Sequence, residues 1–314
     1  MTHAIETENL TRMFGTLAAV DGVNLSIEEG EVFGVLGPNG AGKTTMVRLL
    51  NGILTPSKGK AFLFGKDVFV EGAPLRKYTG VLTETPSHYE RLTARQNLSF
   101  YATMFGVSSS NIPSRIEKML ALFGLESRQD DLVGQYSKGM KQRLALARAL
   151  IHDPKVLFLD EPTAGLDPEA AMQVDNLVTE LVKTGNRTIF LCTHNLHEAQ
   201  SLCDRVAMLN KGKFLAIGSI HDLTERIWHT IAIEIDFLTP PPESVFNNLM
   251  GLEGVTLTSK ESEHITLTIR QKSQIATIIA LIVANGGEIV RVSPREYSLE
   301  EIYFAIQKGG EVKE

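Results

Sequence analysis

Gly37-Pro38-Asn39-Gly40-Ala41-Gly42-Lys43-Thr44 decides the fold of this 314-residue chain. The stretch satisfies G-x-x-x-x-G-K-[ST] and stands between two readable elements. Before it, Val32-Phe33-Gly34-Val35-Leu36 is a short, continuously apolar run of the kind a buried strand needs. After it, Thr44 to Leu50 reads as a helix. The glycines let backbone N–H groups turn toward a polyphosphate, and the helix N-terminus adds its partial positive charge. Lys43 can reach the outer phosphates, and the Thr44 hydroxyl can ligate Mg²⁺. The plain alternative is a Gly-rich turn with a surface lysine, and the flanking strand and helix weigh against it.

Working outward, Val156-Leu157-Phe158-Leu159-Asp160-Glu161 supplies an acidic partner. Four apolar residues bury the strand, and its C-terminal end presents two carboxylates at the edge where α/β sheets bind ligands. Asp160 suits a metal-holding role. Glu161, one residue on, suits a base that polarises an attacking water. Thr188-Ile189-Phe190-Leu191 is a third buried strand. Strand, loop and helix alternate through this region, which indicates an α/β domain with parallel strands at its core.

Composition narrows the function classes. Hydrophobic residues make up 43% and charged residues 22% of the chain, ordinary values for a globular protein. There are 31 Lys/Arg against 37 Asp/Glu, a net charge of −6. Residues 221–314 hold 8 basic and 14 acidic residues, so the whole deficit falls there. Neither part has the basic excess that nonspecific nucleic-acid binding requires, and no nucleic-acid partner is expected. Cys192 and Cys203 match neither a zinc spacing nor a redox pair, which favours a reducing compartment. The opening MTHAIETENLTR has no apolar core, so no signal peptide is expected. The run Ile275 to Ala284 is about half the twenty residues a membrane span needs. The expectation is a soluble, intracellular chain.

A domain boundary is expected near residue 220, ahead of the stiff break Pro240-Pro241-Pro242. Beyond it, Ile231–Leu238 alternates as a strand, Glu243–Met250 suits a short helix, and Val255–Thr258 with Ile265–Ile269 suits a hairpin. Ile275, Ile278, Ile279 and Ile282 follow the helix period. Ile289–Val292 is a strand, and Ser298 caps a last helix with Leu299, Ile302 and Ile306. Strand–helix–strand–strand–helix–strand is the ferredoxin-like order.

Further motifs make the chain resemble the nucleotide-binding subunit of an ATP-binding cassette (ABC) transporter. Tyr136-Ser137-Lys138-Gly139-Met140-Lys141-Gln142-Arg143 is similar to the family signature, whose core is LSGGQ, and stands about twenty residues before the acidic strand. Ala164-Gly165-Leu166-Asp167 matches the loop after that strand, and Thr193-His194 stands where the family places its switch histidine. The resemblance runs from residue 4 to about 217. YSKGMKQR and the appended domain, which ends in Tyr297-Ser298-Leu299-Glu300-Glu301-Ile302-Tyr303, look most like the drug- and polysaccharide-exporter branch.

The resemblance implies an α/β P-loop NTPase domain of the ABC ATPase type over residues 1–220, with a helical subdomain over about 86–150. A small α+β ferredoxin-like domain, 221–314, follows it as an accessory or regulatory part. It also implies ATP and Mg²⁺. Nucleotide contacts would come from Gly37, Pro38, Asn39, Gly40, Ala41, Gly42, Lys43, Thr44 and Thr45, with Phe14, in the short loop before Asp21, stacking on adenine. A buried core phenylalanine is the alternative for Phe14. Thr44 and Asp160 would hold the metal, and Lys43, Glu161 and His194 would serve catalysis. Ser137 and Gly139 would reach the γ-phosphate of a nucleotide on a second copy of the chain. His88, His152 and His197 have no such support.

One position departs from the family. The loop into the helical subdomain usually carries a glutamine that touches Mg²⁺ and water; here Glu84 stands in its place. A carboxylate ligates Mg²⁺ through oxygen but cannot donate a hydrogen bond. Tyr89, Leu92, Phe100, Tyr101, Met104 and Phe105 are expected mostly in the subdomain core, with exposed members meeting short helices of an integral membrane permease. The chain would then sit on the inner face of the membrane through that partner. The rival readings are a soluble ABC ATPase without a permease and a catalytically silent nucleotide-binding scaffold.

Overall fold

The computed structural model describes residues 3–184 and 187–308. The chain divides into two compact units, Met1–Ser219 and Ile220–Glu314. In the first, β1 (His3–Phe14) and β2 (Leu17–Glu28) form an antiparallel pair, followed by β3 (Val32–Leu36) and α1 (Lys43–Leu50). Next come β4 (Lys58–Leu63), β5 (Lys66–Asp67), the single turn α2 (Gly72–Leu75) and β6 (Thr79–Leu82). Three helices follow: α3 (Ala94–Met104), α4 (Ile112–Leu122) and α5 (Lys138–Leu150). The unit closes with β7 (Val156–Asp160), α6 (Pro168–Thr184), β8 (Thr188–Thr193), α7 (Leu196–Leu202), β9 (Arg205–Asn210) and β10 (Lys213–Gly218).

Two sheets result. One is ordered β2-β1-β4-β5 and is antiparallel. The other is ordered β10-β9-β3-β8-β7-β6 and is parallel from β9 through β6. Every residue of β3, β7 and β8 is buried, as strands covered on both faces must be. Alternate residues of β7 feed two cores. Val156 and Phe158 pack with α1 and the antiparallel sheet, while Leu157 and Leu159 pack with the helices α3 to α6.

The helices have local reasons to start where they do. Thr93 and Gln96 form a capping box at the head of α3, and Ser137 caps α5 by accepting the Met140 N–H. The aromatic run before and along α3 corrects an expectation. Tyr89, Phe100 and Met104 are exposed, and Leu92, Tyr101 and Phe105 are only half-buried. The core of this segment is filled instead by Leu98, Ala102, Ile116, Leu120 and Leu144. Their apolar neighbours are left to make a surface.

The second unit runs α8 (Ile220–Ile227), β11 (Ile231–Phe237), α9 (Glu243–Met250), β12 (Val255–Lys260), β13 (His264–Ile269), α10 (Gln274–Ala284), β14 (Ile289–Pro294) and α11 (Leu299–Gln307). From β11 to β14 the succession is strand–helix–strand–strand–helix–strand, and the antiparallel sheet is ordered β12-β13-β11-β14. Ile233, Ile235 and Phe237 alternate toward Val245, Phe246, Ile278 and Ile282 on the two helices. Ser298 and Glu301 close a capping box at α11, and Tyr297 stacks on Trp228 with ring centroids 3.9 Å apart. Among the described residues, no helix is long and apolar enough to cross a membrane.

Phe190 lies at the centre of the parallel sheet, fully buried, with centroids 5.4 Å from Phe158 and 6.2 Å from Phe33. Phe190→Ala should destabilise the chain by about 3–5 kcal/mol, through lost burial and the cavity left behind. Urea denaturation followed by far-UV circular dichroism measures this, and Phe190→Leu should lose less than half as much. A loss below about 1 kcal/mol for the alanine variant would place Phe190 outside the core.

Candidate functional site

The loop between β3 and α1 is held open by its backbone. Gly40 and Gly42 have φ of +81° and +116°, in the left-handed region that favours glycine. A Cβ on Gly42 would lie 2.1 Å from the Ala19 carbonyl oxygen, and one on Gly37 would lie 2.3 Å from that of Leu209. The loop is braced from behind: the Ala41 N–H donates to Pro38, and the Gly212 N–H donates to Ala41. No side chain caps α1, so its leading N–H groups are left to an external anion. The cavity in front of it, about 460 Å³, is lined by Pro38 through Thr45 together with Phe14, Leu17, Ala19, Glu84 and Glu161.

Parallel pairing aligns Leu36 with Thr193 and Asp160 with Cys192, so three strand ends meet beside this loop. Asp160 is 1% exposed, and among the described residues neither carboxylate oxygen has a hydrogen-bond partner. Burial pushes its carboxyl up. The Thr44 hydroxyl, near it but outside full hydrogen-bonding geometry, opposes that shift, and Glu161 and Glu84 add to it. Two hard oxygen groups side by side, one a buried carboxylate lacking a donor, suit a small divalent cation such as Mg²⁺.

Glu161 adopts φ +52°, a costly conformation for a non-glycine residue, with its N–H fixed on the Cys192 carbonyl at 2.9 Å. One carboxylate oxygen lies 3.1 Å from Lys43 Nζ, and the other lies 2.7 Å from His194 Nδ1. Lys43 also donates to the carbonyls of Gly37 and Pro38, at 2.5 and 3.3 Å. The ammonium and the carboxylate are both buried, whereas the His194 side chain is 61% exposed. Glu161 thus bridges a buried ammonium and an exposed imidazole at the edge of the cavity.

The remaining candidates fall in two groups. Glu84, two residues past β6, is exposed and lines the same cavity as Glu161. Phe14 lines it too, but as the last residue of β1 rather than in a loop; the residue is 46% exposed, with the Arg12 guanidinium 4.7 Å from its ring centroid. That exposure removes the core reading. Ser137 and Gly139 do not line the cavity. Ser137 is exposed at the head of α5, while Gly139 is buried where a Cβ would come 2.8 Å from Ala170 Cβ. The Nε2 atoms of His88 and His152 lie 2.9 and 3.0 Å from the Lys141 and Thr79 carbonyls, outside the site.

Two residues inside the signature segment have contacts that the motif does not state. Gln142, buried in α5, donates to the Pro162 carbonyl at 2.6 Å and so ties the signature helix to the residue after Glu161. Lys138 donates to the Gly165 carbonyl at 2.7 Å, joining the head of α5 to the loop before α6. Polar residues inside an apolar helix face were the available signal for Gln142. None existed for Lys138, which is exposed.

Comparison with known proteins assigns the chain to a family. Residues 20–164 match the family described as ABC transporter, and residues 132–199 match one described as an AAA domain. The chain is 34% identical to the bacitracin transport ATP-binding protein of Bacillus licheniformis, over 99% of this chain and 100% of that one. It is 41% identical to a Nod factor export ATP-binding protein of Rhizobium sp. (strain N33), over 74% of this chain and 76% of that one. Among solved structures it is similar to cbiO1 from Clostridium perfringens, part of an ABC transporter complex, with 31% identity and a TM-score of 0.63 over 72% of this chain and 96% of that one. It is also similar to a dimeric ATP-binding cassette in a post-hydrolysis state bound to ADP and Pi, with 25% identity and a TM-score of 0.62 over 68% of this chain and 98% of that one.

Asp160 gives a test that needs no assay of activity. Its buried carboxylate, without a hydrogen-bond donor and beside Glu161, disfavours the fold, so Asp160→Asn should raise the melting temperature in metal-free buffer by a few degrees, an unsatisfied buried group costing about 1–3 kcal/mol. Because the folded carboxyl is raised, the native chain loses stability as pH rises out of the acid range. The difference should therefore shrink toward low pH. Equal melting temperatures at neutral pH would contradict the uncompensated charge.

Proposed function

Because the chain belongs to the ABC transporter family of ATP-binding subunits, we propose that its β3, β7 and β8 ends form a MgATP-hydrolysing site completed by a second copy of the chain. The observation that carries this is Glu161, fixed between Lys43 and His194 beside the unpartnered Asp160.

The loop N–H groups from Pro38 to Thr45 suit the phosphates, and the exposed ring of Phe14 suits an adenine face. Thr44 and Asp160 would hold Mg²⁺, with Glu84 as a third oxygen donor at the cavity mouth. The ion, when bound, neutralises charge on the phosphate oxygens. Lys43 exchanges the Gly37 and Pro38 carbonyls for phosphate oxygens and leaves Glu161 free to accept a proton from water. His194, bonded to Glu161 through Nδ1, presents the rest of its exposed ring to the γ-phosphate.

Ser137 and Gly139 lie outside the cavity formed by their own chain, which favours their use on a partner's nucleotide. Ser137 is exposed at a helix N-terminus, where backbone dipoles favour an anion. The dimeric, ADP-bound relative supports two copies as the working unit. A separate groove of about 330 Å³, lined by Ile53, Arg76, Ser87, Tyr101, Phe105 and Arg148, opens beside exposed Tyr89, Phe100 and Met104. That apolar, aromatic surface supports docking of a membrane permease, which would place the chain on the inner face of the membrane. The relative named for Nod factor export supports export as the direction.

Glu161→Gln should keep ATP affinity and lower turnover by about 10²–10⁴-fold, since an amide cannot accept the proton. The ATP-loaded dimer should then accumulate, which gel filtration with and without MgATP reads. Native turnover in this variant would end the assignment. Replacing Ser137 with a bulky residue should stop hydrolysis while leaving ATP affinity nearly intact, as shown by nucleotide titration; equal loss of both would place Ser137 in its own chain's site. Glu84→Gln should stay active but require more Mg²⁺ for half-maximal rate. An unchanged Mg²⁺ dependence would make Glu84 a plain loop residue.

A further inference from the structure

Two carboxyl groups that this chemistry does not use face each other in the first unit. Glu198, on α7, is 4% exposed, and its Oε2 accepts the Thr193 hydroxyl at 2.7 Å. Asp175, on α6, stands against it. Glu198 Oε1 and Asp175 Oδ1 are both shielded from solvent, and among the described residues neither receives a donor. Two acceptors cannot satisfy each other, and burial together with mutual repulsion disfavours a second charge. One proton between them resolves both problems, with Glu198 donating and Asp175 accepting. Burial, reinforced by Asp175, pushes the Glu198 carboxyl up to about 7. Burial raises Asp175 as well.

The pair adjoins the segment that carries His194. The Thr193 hydroxyl accepts the Asn195 N–H at 3.0 Å, and Asn195 Oδ1 accepts the N–H groups of His197 and Glu198 at 3.1 and 3.2 Å. Both neighbours of His194 are thus held by a chain of hydrogen bonds that ends on Glu198. Packing does not orient the exposed His194 ring; its bond to Glu161 does so only where the backbone places it in reach. On the other side, Asp175 belongs to the helix that starts directly after Asp167.

We propose that Glu198 is a positioning residue for His194, acting as the proton-donating half of a carboxyl pair with Asp175 that ties α6 to α7. This rests on the reading of His194 as the γ-phosphate contact. The groups bearing on Glu198 are Asp175 from α6, Glu161 from the end of β7, Thr193 from β8 and Cys203 just past α7. None of these supplies a positive charge. Loss of the shared proton leaves two facing carboxylates and loosens the clasp. Since the Glu198 carboxyl is raised in the fold, the stability it lends is present at acid pH and lost as pH rises through about 7.

The test compares kcat and KM for ATP, and melting temperature, across pH for the native chain, Glu198→Gln, Glu198→Ala and His194→Ala. A glutamine amide donates to Asp175 while its oxygen keeps Thr193, copying the protonated acid with no proton to lose. Glu198→Gln should match native kcat on the acid side and exceed it by about three-fold or more on the alkaline side, with a flatter melting temperature against pH. Glu198→Ala should lose about ten-fold in kcat with KM little changed, as loss of one positioning contact implies. A glutamine variant that follows the native pH profiles of kcat and melting temperature overturns the proposal, and the melting profile needs only this conservative variant. Failure of the underlying reading shows separately, as native turnover in His194→Ala. An inactive His194→Ala beside a native Glu198→Ala defeats the present inference alone.

Discussion

Parallel register across β3, β8 and β7 is the constraint on which the rest of this structure depends. Leu36 opposite Thr193, and Asp160 opposite Cys192, bring three distant segments to one sheet edge. Beyond that edge lie the Gly37–Thr44 loop, the Asp160-Glu161 pair and His194, each useful only near the others. Ligands collect at such an edge in open α/β sheets because loops and helix N-termini converge there. Slipping β7 by one residue would exchange Phe158 for Leu157 between the two cores and turn Asp160 away, so the register is enforced by packing on both faces.

The site stores the cost of its own function. Glu161 is bent into the left-handed region, Asp160 is buried without a donor, and Lys43 is buried against backbone carbonyls and a carboxylate. Each would be an error in a scaffold built for stability alone. The fully buried Phe33, Phe158 and Phe190, with the apolar cores on both faces, offset these costs. A buried ion pair by itself is weak support for a fold. Here the Lys43–Glu161 pair fixes a buried ammonium and a buried carboxylate beside the Gly37–Thr44 loop.

Of the parallel strands, β3, β7 and β8 were legible because their apolar runs are short and continuous, β3 ending at a glycine and β7 at a carboxylate. Their ends were less so, since β7 runs on through Asp160 and β8 through Thr193. The antiparallel sheet was not legible. The β1–β2 pairing carries several register shifts, and Asn9 takes a positive φ, which breaks the alternation that marks a strand. Motif spacing was enough to name Lys43, Asp160, Glu161 and His194. It could not say that Glu161 touches Lys43 and His194 at once, because that depends on one left-handed residue. Nor could residue type tell that Tyr89, Phe100 and Met104 stay outside, since burial is decided by what else fills the space. Asp175 and Glu198 come together only through the packing of α6 on α7.

The central claim is that one nucleotide and one divalent cation meet at Thr44 and Asp160. Electron paramagnetic resonance of Mn²⁺ with the full chain and a non-hydrolysable ATP analogue tests it most directly. The account predicts one Mn²⁺ per chain, bound only with nucleotide, showing ³¹P hyperfine coupling, and lost in Asp160→Asn. Undiminished Mn²⁺ binding in that variant, or binding without coupling to phosphorus, would contradict it.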